Sequence, residues 1–588
     1  MSTGIIGYAC MLLIAALRGL ILVENILTGA RRTYRIPIKP LMSTVILSAL
    51  LAVLSNIGTN FARYGCLGLN SAVDYMRFFA KTILIWFFLM LITTALFNNW
   101  DAQRGHLLKD RAGRPSTKIF FLLCWGTILC AWLVWIIPHW PGTMRDDTVT
   151  QYLQSIGATD YYTQHPLFDT LCFGAFFKLG QSIGSVAAGL FLFILVQAAI
   201  TAAVFAAILA FLKSRGTPTT FLLIALAFYA LSRTIYQPVD TMSKDAWNGW
   251  SLALSALLTV NAVTNPRIAT KPWFVLSYST VIFFCIASKR SMLYVVVPAA
   301  LIGAFYVAHH HHCRKQALTM VSCILLGSLA CIAVWTPLSA AVLQANNSPS
   351  PELWSLSEQQ ITAALKANPS VLSSEELKDL STSCDYEAAV KVYNPHRSDE
   401  VSATVKQNSS KLPLLRAWLK VLTRDPLTCL QSLFNMAGQW FSLQVSIDYD
   451  HDLETELLTE ERYAGWSADF NIPTQDLSNI LSVFKISNSG NSPLKDAVEC
   501  LDLVQRALTP LCSYGLYCTA IPLIVLTYGI TRKIWGIVTL SAIPILLLLS
   551  FLVGPIALYW YSIPAVYIVP LVMALPYLFP NKKEASRS

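Results

Sequence analysis

The residues best suited to chemistry in this chain are a few charged side chains set against long apolar runs. Asp146 and Asp147 sit side by side in Pro138-His-Trp-Pro-Gly-Thr-Met-Arg-Asp-Asp-Thr-Val-Thr-Gln151, just beyond an apolar stretch. A carboxylate there can act as a general base toward a hydroxyl, or hold a cation. The same pair also suits a helix start, where carboxylates gain from capping and from the helix dipole. His165-Pro166 follows; the proline fixes the start of a helix, and the histidine can orient a substrate or a carboxylate. Lys244 and Asp245 lie where the chain re-enters an apolar run, placed either to cap and snorkel or to form an ion pair lining a polar cavity. Lys289 and Arg290 fall between two apolar runs with almost no loop. Half-burying two cations is costly unless an anion meets them, and an arginine fork suits a phosphate. Tyr559-Trp560-Tyr561 opens the last apolar run, as interfacial anchors do. His309 to His312 lies apart from all of these and reads as a solvated loop.

The elements that must position these groups follow from composition. The chain has 588 residues, of which 55% are hydrophobic and only 13% charged. Its mean hydropathy is +0.52. A soluble domain carries about 25% charged residues, so this surface cannot all face water. Apolar segments of about 20 residues, rather than alternating strands of about ten, indicate helices. The expected class is an all-α polytopic membrane protein. About thirteen spans are expected near 4–23, 41–59, 78–97, 118–137, 184–211, 219–236, 246–263, 273–288, 291–308, 317–337, 509–529, 535–552 and 558–578. The run Ile5 to Val23 reads as a retained span rather than a cleaved leader.

With that count, the basic loops all fall on one side: Arg31-Arg32 to Lys39, Arg104 to Lys118, Lys213 to Arg215, Arg267 to Lys271, Arg314-Lys315, Arg532-Lys533 and Lys582-Lys583. The positive-inside rule makes that side cytoplasmic, with the N-terminus outside and the C-terminus inside. The net charge of +10 is thereby accounted for without nucleic acid. The 14 cysteines include no C-x-x-C pair, so neither a zinc site nor a redox motif is expected. The organisation expected is a three-helix segment over 1–117, a membrane core over 118–338 with a first outer loop at 138–183, a mainly helical extracytoplasmic insert over 339–507, and three further helices over 508–588. Within the first loop, Leu167 to Leu179 is too short to span and reads as an interfacial or partly buried helix. Under this topology Asp146/Asp147, His165, Lys244/Asp245, Lys289/Arg290 and Tyr559 to Tyr561 share the outer face.

The run Trp140-Pro-Gly-x-x-x-Asp-Asp147-Thr-x-x-Gln151, followed by His165-Pro166-x-x-x-Thr170, resembles the first extracytoplasmic loop of bacterial GT-C-type glycosyltransferase-like membrane proteins. Lys244-Asp245, the basic pair Lys289-Arg290, Gln359-Gln360 and the late Tyr559-x-Tyr561-x-x-Pro564 segment are similar to further features of that group. The resemblance runs from about residue 118 to 578. It implies a polyprenyl-phosphate-linked sugar as donor, an acceptor glycan, lipid or protein outside the membrane, and a carboxylate base in the first outer loop. Asp147, with four residues between it and Gly142, matches that base, with Asp146 beside it. The resemblance assigns Lys289, Arg290 and Lys244 to the donor phosphate. It makes His165, Asp245, Gln151, Tyr559 and Tyr561 substrate-binding or supporting residues. Relatives carry an Arg-Tyr pair near the last span, whereas this chain has Leu558-Tyr559-Trp560. No metal ligand set is expected, although the adjacent aspartates leave a divalent cation (Mg or Mn) open.

Two other function classes compete with an inverting glycosyltransferase. A transporter or flippase of lipid-linked sugars would need ionisable groups near the midplane and an internal repeat. The sequence has no such repeat, and its strongest charges lie at span ends. A non-catalytic scaffold whose insert binds a partner would have no use for Asp147 or for Lys289-Arg290.

Overall fold

In a lipid solvent every backbone N–H and C=O must be satisfied within its own segment, and the apolar runs accordingly fold as helices. The computed structural model describes residues 41–104, 117–347, 354–406, 409–448, 453, 457–485 and 493–579. The first expected span, 4–23, and the basic tail lie outside the described residues. Each expected span from 41–59 onward coincides with helix. Among the described residues, eight helices are long and apolar enough to cross a membrane, or nine if one bent pair is counted as a span. The chain is an all-α membrane protein.

The eight are α1 (Met42–Tyr64), α2 (Ala72–Arg104), α3 (Thr117–Ile136), α6 (Val186–Ser214), α11 (Arg290–His310), α12 (Arg314–Val342), α20 (Trp535–Leu552) and α21 (Tyr559–Leu578). Between α3 and α6 lie two shorter helices, α4 (Asp146–Ser155) and α5 (Leu167–Ser182). The second of these is the helix expected in the first loop. The bent pair is α7 (Thr219–Leu231) and α8 (Arg233–Val239), which meet at 45°. Ser232 is extended there, with φ −73° and ψ 129°, and that residue makes the break. Next come α9 (Lys244–Thr264), buried along nearly its whole length, and α10 (Pro272–Ser288).

The insert contains α13 (Ser355–Ala367), α14 (Leu412–Arg424), α15 (Pro426–Ala437), α16 (Glu460–Phe470), α17 (Thr474–Leu481) and α18 (Pro493–Ala507). α19 (Ile521–Thr531) follows it. The helices of the insert pack in two ways. Ile361, Leu365, Leu380, Leu414 and Val421 make a core of their own. Tyr463, Trp466, Leu477 and Phe484 instead join the core of the membrane helices. Phe484 sets its ring 5.0 Å from Tyr152 and 5.9 Å from Phe177, on helices α4 and α5. Phe484, just past α17, thus buries itself against the first loop.

The helices that precede 118 close onto the other end of the chain. Thr59 Oγ1 meets Ser442 Oγ at 2.7 Å, and Arg63 donates to the Gln444 carbonyl at 3.0 Å. Asp101 pairs with Arg532, and Arg104 Nε donates to the Phe579 carbonyl at 2.7 Å. This pair of helices therefore supports the C-terminal helices and the stretch of the insert that follows α15.

Candidate functional site at one end of the bundle

The site is assembled by a two-residue parallel pairing. β1 (Thr143–Met144) pairs with β2 (Thr241–Met242), Thr143 opposite Thr241. Gly142 makes the pairing possible. Its φ is +88°, and a Cβ there would stand 2.0 Å from Ile194 Cδ1 and 3.1 Å from the Asp240 carbonyl oxygen. Only glycine adopts that backbone at this closeness without strain. Gln197 Nε2 donates to the Val239 and Thr241 carbonyls at 2.8 and 3.0 Å, and Thr148 Oγ1 donates to the Met242 carbonyl at 2.7 Å. These bonds fix the start of α4 against the start of α9.

Asp147 and Lys244 meet as a result, with Nζ 2.7 Å from Oδ2. His165 Nδ1 is 3.3 Å from Lys244 Nζ and 3.8 Å from Asp147 Oδ2. An ammonium only donates, so Nδ1 accepts and the ring proton sits on Nε2. Burial pushes the His165 pKa down to about 4, against the raising effect of Asp147, so the ring is neutral near pH 7. Burial alone would raise Asp147. Lys244, His165 and Arg145 outweigh it and hold the carboxyl well below the usual carboxylate range.

Asp245 accepts from Lys289, which caps the end of α10. Lys289 Nζ also lies 4.3 Å from the centre of the Tyr561 ring. Arg290 donates to the Thr163 carbonyl at 2.7 Å, which ties the turn between α10 and α11 to the first loop. The expected residues therefore form two contact sets, Asp147 with Lys244 and His165, and Asp245 with Lys289 and Tyr561, which the peptide bond between Lys244 and Asp245 sets side by side. Arg290 follows Lys289 in the chain, and Tyr559 lies under Arg145, whose charge also acts on Asp147.

Two expected residues play other parts. Asp146 turns away from Asp147 and meets Arg462 of α16 at 3.3 Å, so the adjacent carboxylates serve separate cations. Gln151 is fully buried and donates to Thr170 Oγ1 at 3.1 Å, joining α4 to α5. Among the described residues no three His, Cys, Asp or Glu side chains group as metal ligands. His309 to His312 lies at the opposite end of α11, exposed.

Three residues were missed by the sequence reading. Arg145, the residue before the acidic pair, lays its guanidinium 4.2 Å from the Trp560 ring centre and 5.5 Å from that of Tyr559. The aromatic run that opens α21 therefore holds a cation from the first loop as well as Lys289. Asp169, within the apolar helix α5, is fully buried and accepts from Ser288 Oγ at 3.0 Å. Burial pushes it well above the ordinary carboxylate range. Arg233 is fully buried at the break between α7 and α8, its Nε 2.8 Å from Asp502 Oδ1 and its second arm 2.9 Å from Asp448. The signal for the last two was a charge inside an apolar run.

Beside the cations lies a cavity of about 700 Å³. Lys289, Arg290 and Thr163 are among its polar lining. The remaining wall includes Ile286, Leu293, Ile332, Trp335, Leu546 and Leu549.

Residues 148–587 match a family of unknown function, DUF6020; the match covers 440 of the 588 residues. The chain belongs to DUF6020. The DUF6020 region opens immediately after Asp147 and takes in His165, Lys244, Asp245, Lys289, Arg290 and the Tyr559–Tyr561 run. No curated protein and no solved structure matches it.

Proposed function

We propose that this DUF6020 protein is a GT-C-type membrane glycosyltransferase of about thirteen helices. It takes a sugar from a polyprenyl-phosphate donor and passes it to a cell-envelope acceptor at the outer face, with its N-terminus outside and its C-terminus cytoplasmic. One observation carries the reading: a mainly apolar cavity among the helices is lined by Lys289 and Arg290, and Lys289 holds Asp245, the chain neighbour of the Lys244 that pairs with Asp147. A long isoprenoid suits the apolar wall, and its phosphate suits the cations.

In this mechanism an acceptor hydroxyl oxygen attacks the anomeric carbon. The bond from that carbon to the phosphate oxygen breaks, and the polyprenyl phosphate leaves with the electron pair. The hydroxyl proton passes to Asp147. At rest Asp147 is a weak base, because Lys244 lies 2.7 Å away. A donor phosphate that draws Lys244 toward itself raises the proton affinity of Asp147 at the moment the base is needed. Lys289 and Arg290 stabilise charge developing on the leaving phosphate. Both carboxylates of the adjacent pair are already matched by cations, so the scheme needs no divalent ion at that pair.

The test uses purified protein, radiolabelled hexosyl and pentosyl polyprenyl phosphates, and bacterial membranes as acceptor. Asp147→Asn should lower transfer by roughly 10²–10⁴-fold, the usual contribution of a general base. Lys289→Gln should weaken donor binding. Full transfer by Asp147→Asn removes that residue from the mechanism. Donor movement across liposomes without a glycosylated product means a flippase instead.

A further inference from the structure

α18 (Pro493–Ala507) is an amphipathic helix whose two sides are both accounted for by protein and charge, except for one apolar face. At 3.6 residues per turn, Val498 and Asp502 fall on one side, and both are buried. Asp502 accepts from Arg233 Nε at 2.8 Å and from Gln237 Nε2 at 2.6 Å. Gln505 Nε2 donates to the Leu231 carbonyl at 2.9 Å, and Gln505 Oε1 accepts from the Arg233 backbone at 2.9 Å. This side is latched to the break in the bent span. A charged flank follows round the helix, with Lys495, Glu499 and Arg506, and Glu499 lies 3.9 Å from His139.

Away from the charged flank, an exposed apolar face carries Ala497, Cys500, Leu501, Val504 and Ala507, with Leu503 at its margin beside the exposed Asp496. Leu501 is 50%, Leu503 63% and Val504 56% exposed. Apolar residues so grouped are costly in water. The level of the helix supplies the explanation. It is bonded to Leu231, the last residue of the apolar helix α7, and it neighbours His139, three residues past the end of α3. The exposed side chains at those two ends, Val134, Ile137 and Leu231, are themselves apolar and belong to the lipid-facing surface of the spans.

We infer that α18 lies in the plane of the membrane, with Leu501, Leu503 and Val504 inserted among the lipids of the leaflet at the site end. The occupant of the face is lipid. Three features argue for it: the continuity of the face with the lipid-facing ends of two spans, the placement of the helix where those spans stop, and the charged flank that separates lipid from water. The insert is then held to the bilayer by an interfacial helix as well as by the spans that flank it. This does not depend on the proposed reaction.

The test is collision accessibility of a nitroxide label in full-length protein reconstituted in liposomes. Cys66, Cys130 and Cys500 are replaced by Ser, and single cysteines are introduced by Leu501→Cys, Val504→Cys, Lys495→Cys and Glu499→Cys. Oxygen concentrates in lipid, and a water-soluble nickel chelate stays in water. The ratio of oxygen to nickel collisions should be several-fold higher at 501 and 504 than at 495 and 499. Equal ratios at all four sites place the face in water and overturn the inference. Exclusion of both reagents at 501 and 504 means that protein covers the face, and overturns it equally.

Discussion

Gly142 offers the sharpest quantitative test of how the site is built. Gly142→Ala places a methyl 2.0 Å from Ile194 Cδ1 and 3.1 Å from the Asp240 carbonyl oxygen, at φ +88°. The left-handed backbone costs about 1–2 kcal/mol for an alanine. Overpacking a full core costs about 1–3 kcal/mol more. The expected loss is therefore roughly 2–5 kcal/mol, and it falls on the β1–β2 pairing that sets Asp147 against Lys244. The two contributions can be separated. Ile194→Val deletes the clashing Cδ1 at its own cost of about 0.5–1.5 kcal/mol. Adding it to Gly142→Ala should recover most of the packing cost and leave the backbone cost in place. Thermal unfolding in detergent, read for all four proteins of the cycle, measures the coupling. A Gly142→Ala protein within about 0.5 kcal/mol of wild type, which is the range of an ordinary surface change, would falsify the account of the pairing.

Two more outcomes follow from buried charge. His165 has its pKa pushed down to about 4, against about 6.5 in the unfolded chain, so the unfolded state binds the proton first. Stability therefore rises with pH between about 4 and 6.5 and is lost on acidification, by about 3 kcal/mol across that window. The melting temperature of His165→Gln should show a flatter acid limb than wild type, and identical limbs would refute the assignment. Asp502→Ala leaves the buried Arg233 without its closest carboxylate and should destabilise by about 3–5 kcal/mol. In the same melting assay, the Arg233→Met, Asp502→Leu double replacement should lose much less; equal losses would show that the ion pair is not the source.

Hydropathy located the helices well, because apolar length is what a bilayer selects. It could not see the break at Ser232, which depends on one extended residue whose neighbours are bonded by Gln505 and Asp502. Charge at span ends led to Asp147, Lys244 and Lys289 because such groups are scarce in this composition. Their partners were not legible. Lys244 has Asp245 as its neighbour in sequence yet meets Asp147, since consecutive residues at a helix start point about 100° apart. Arg145 was hidden beside the more conspicuous aspartates, and its aromatic partners lie more than 400 residues along the chain. How the insert packs was illegible for a similar reason: Phe484 looks like any core residue until α4 and α5 are in place to receive it.

The contacts of α1 and α2 have a consequence for the order of events at the ribosome. Asn99 bonds Tyr577 at a separation of 478 residues, and Arg104 bonds the Phe579 carbonyl at a separation of 475. Helices made early must therefore wait, with Asp101 uncompensated, until Arg532 and the last helix are synthesised. Closure is a late event that joins the two ends of translation, and long-range closure of this kind is slow. A nascent chain stalled before residue 532 would hold α1 against Ser442 and Gln444 but leave the end of α2 without Arg532 and the last helix. Supplying the C-terminal helices as a separate polypeptide would give the end of α2 its docking surface.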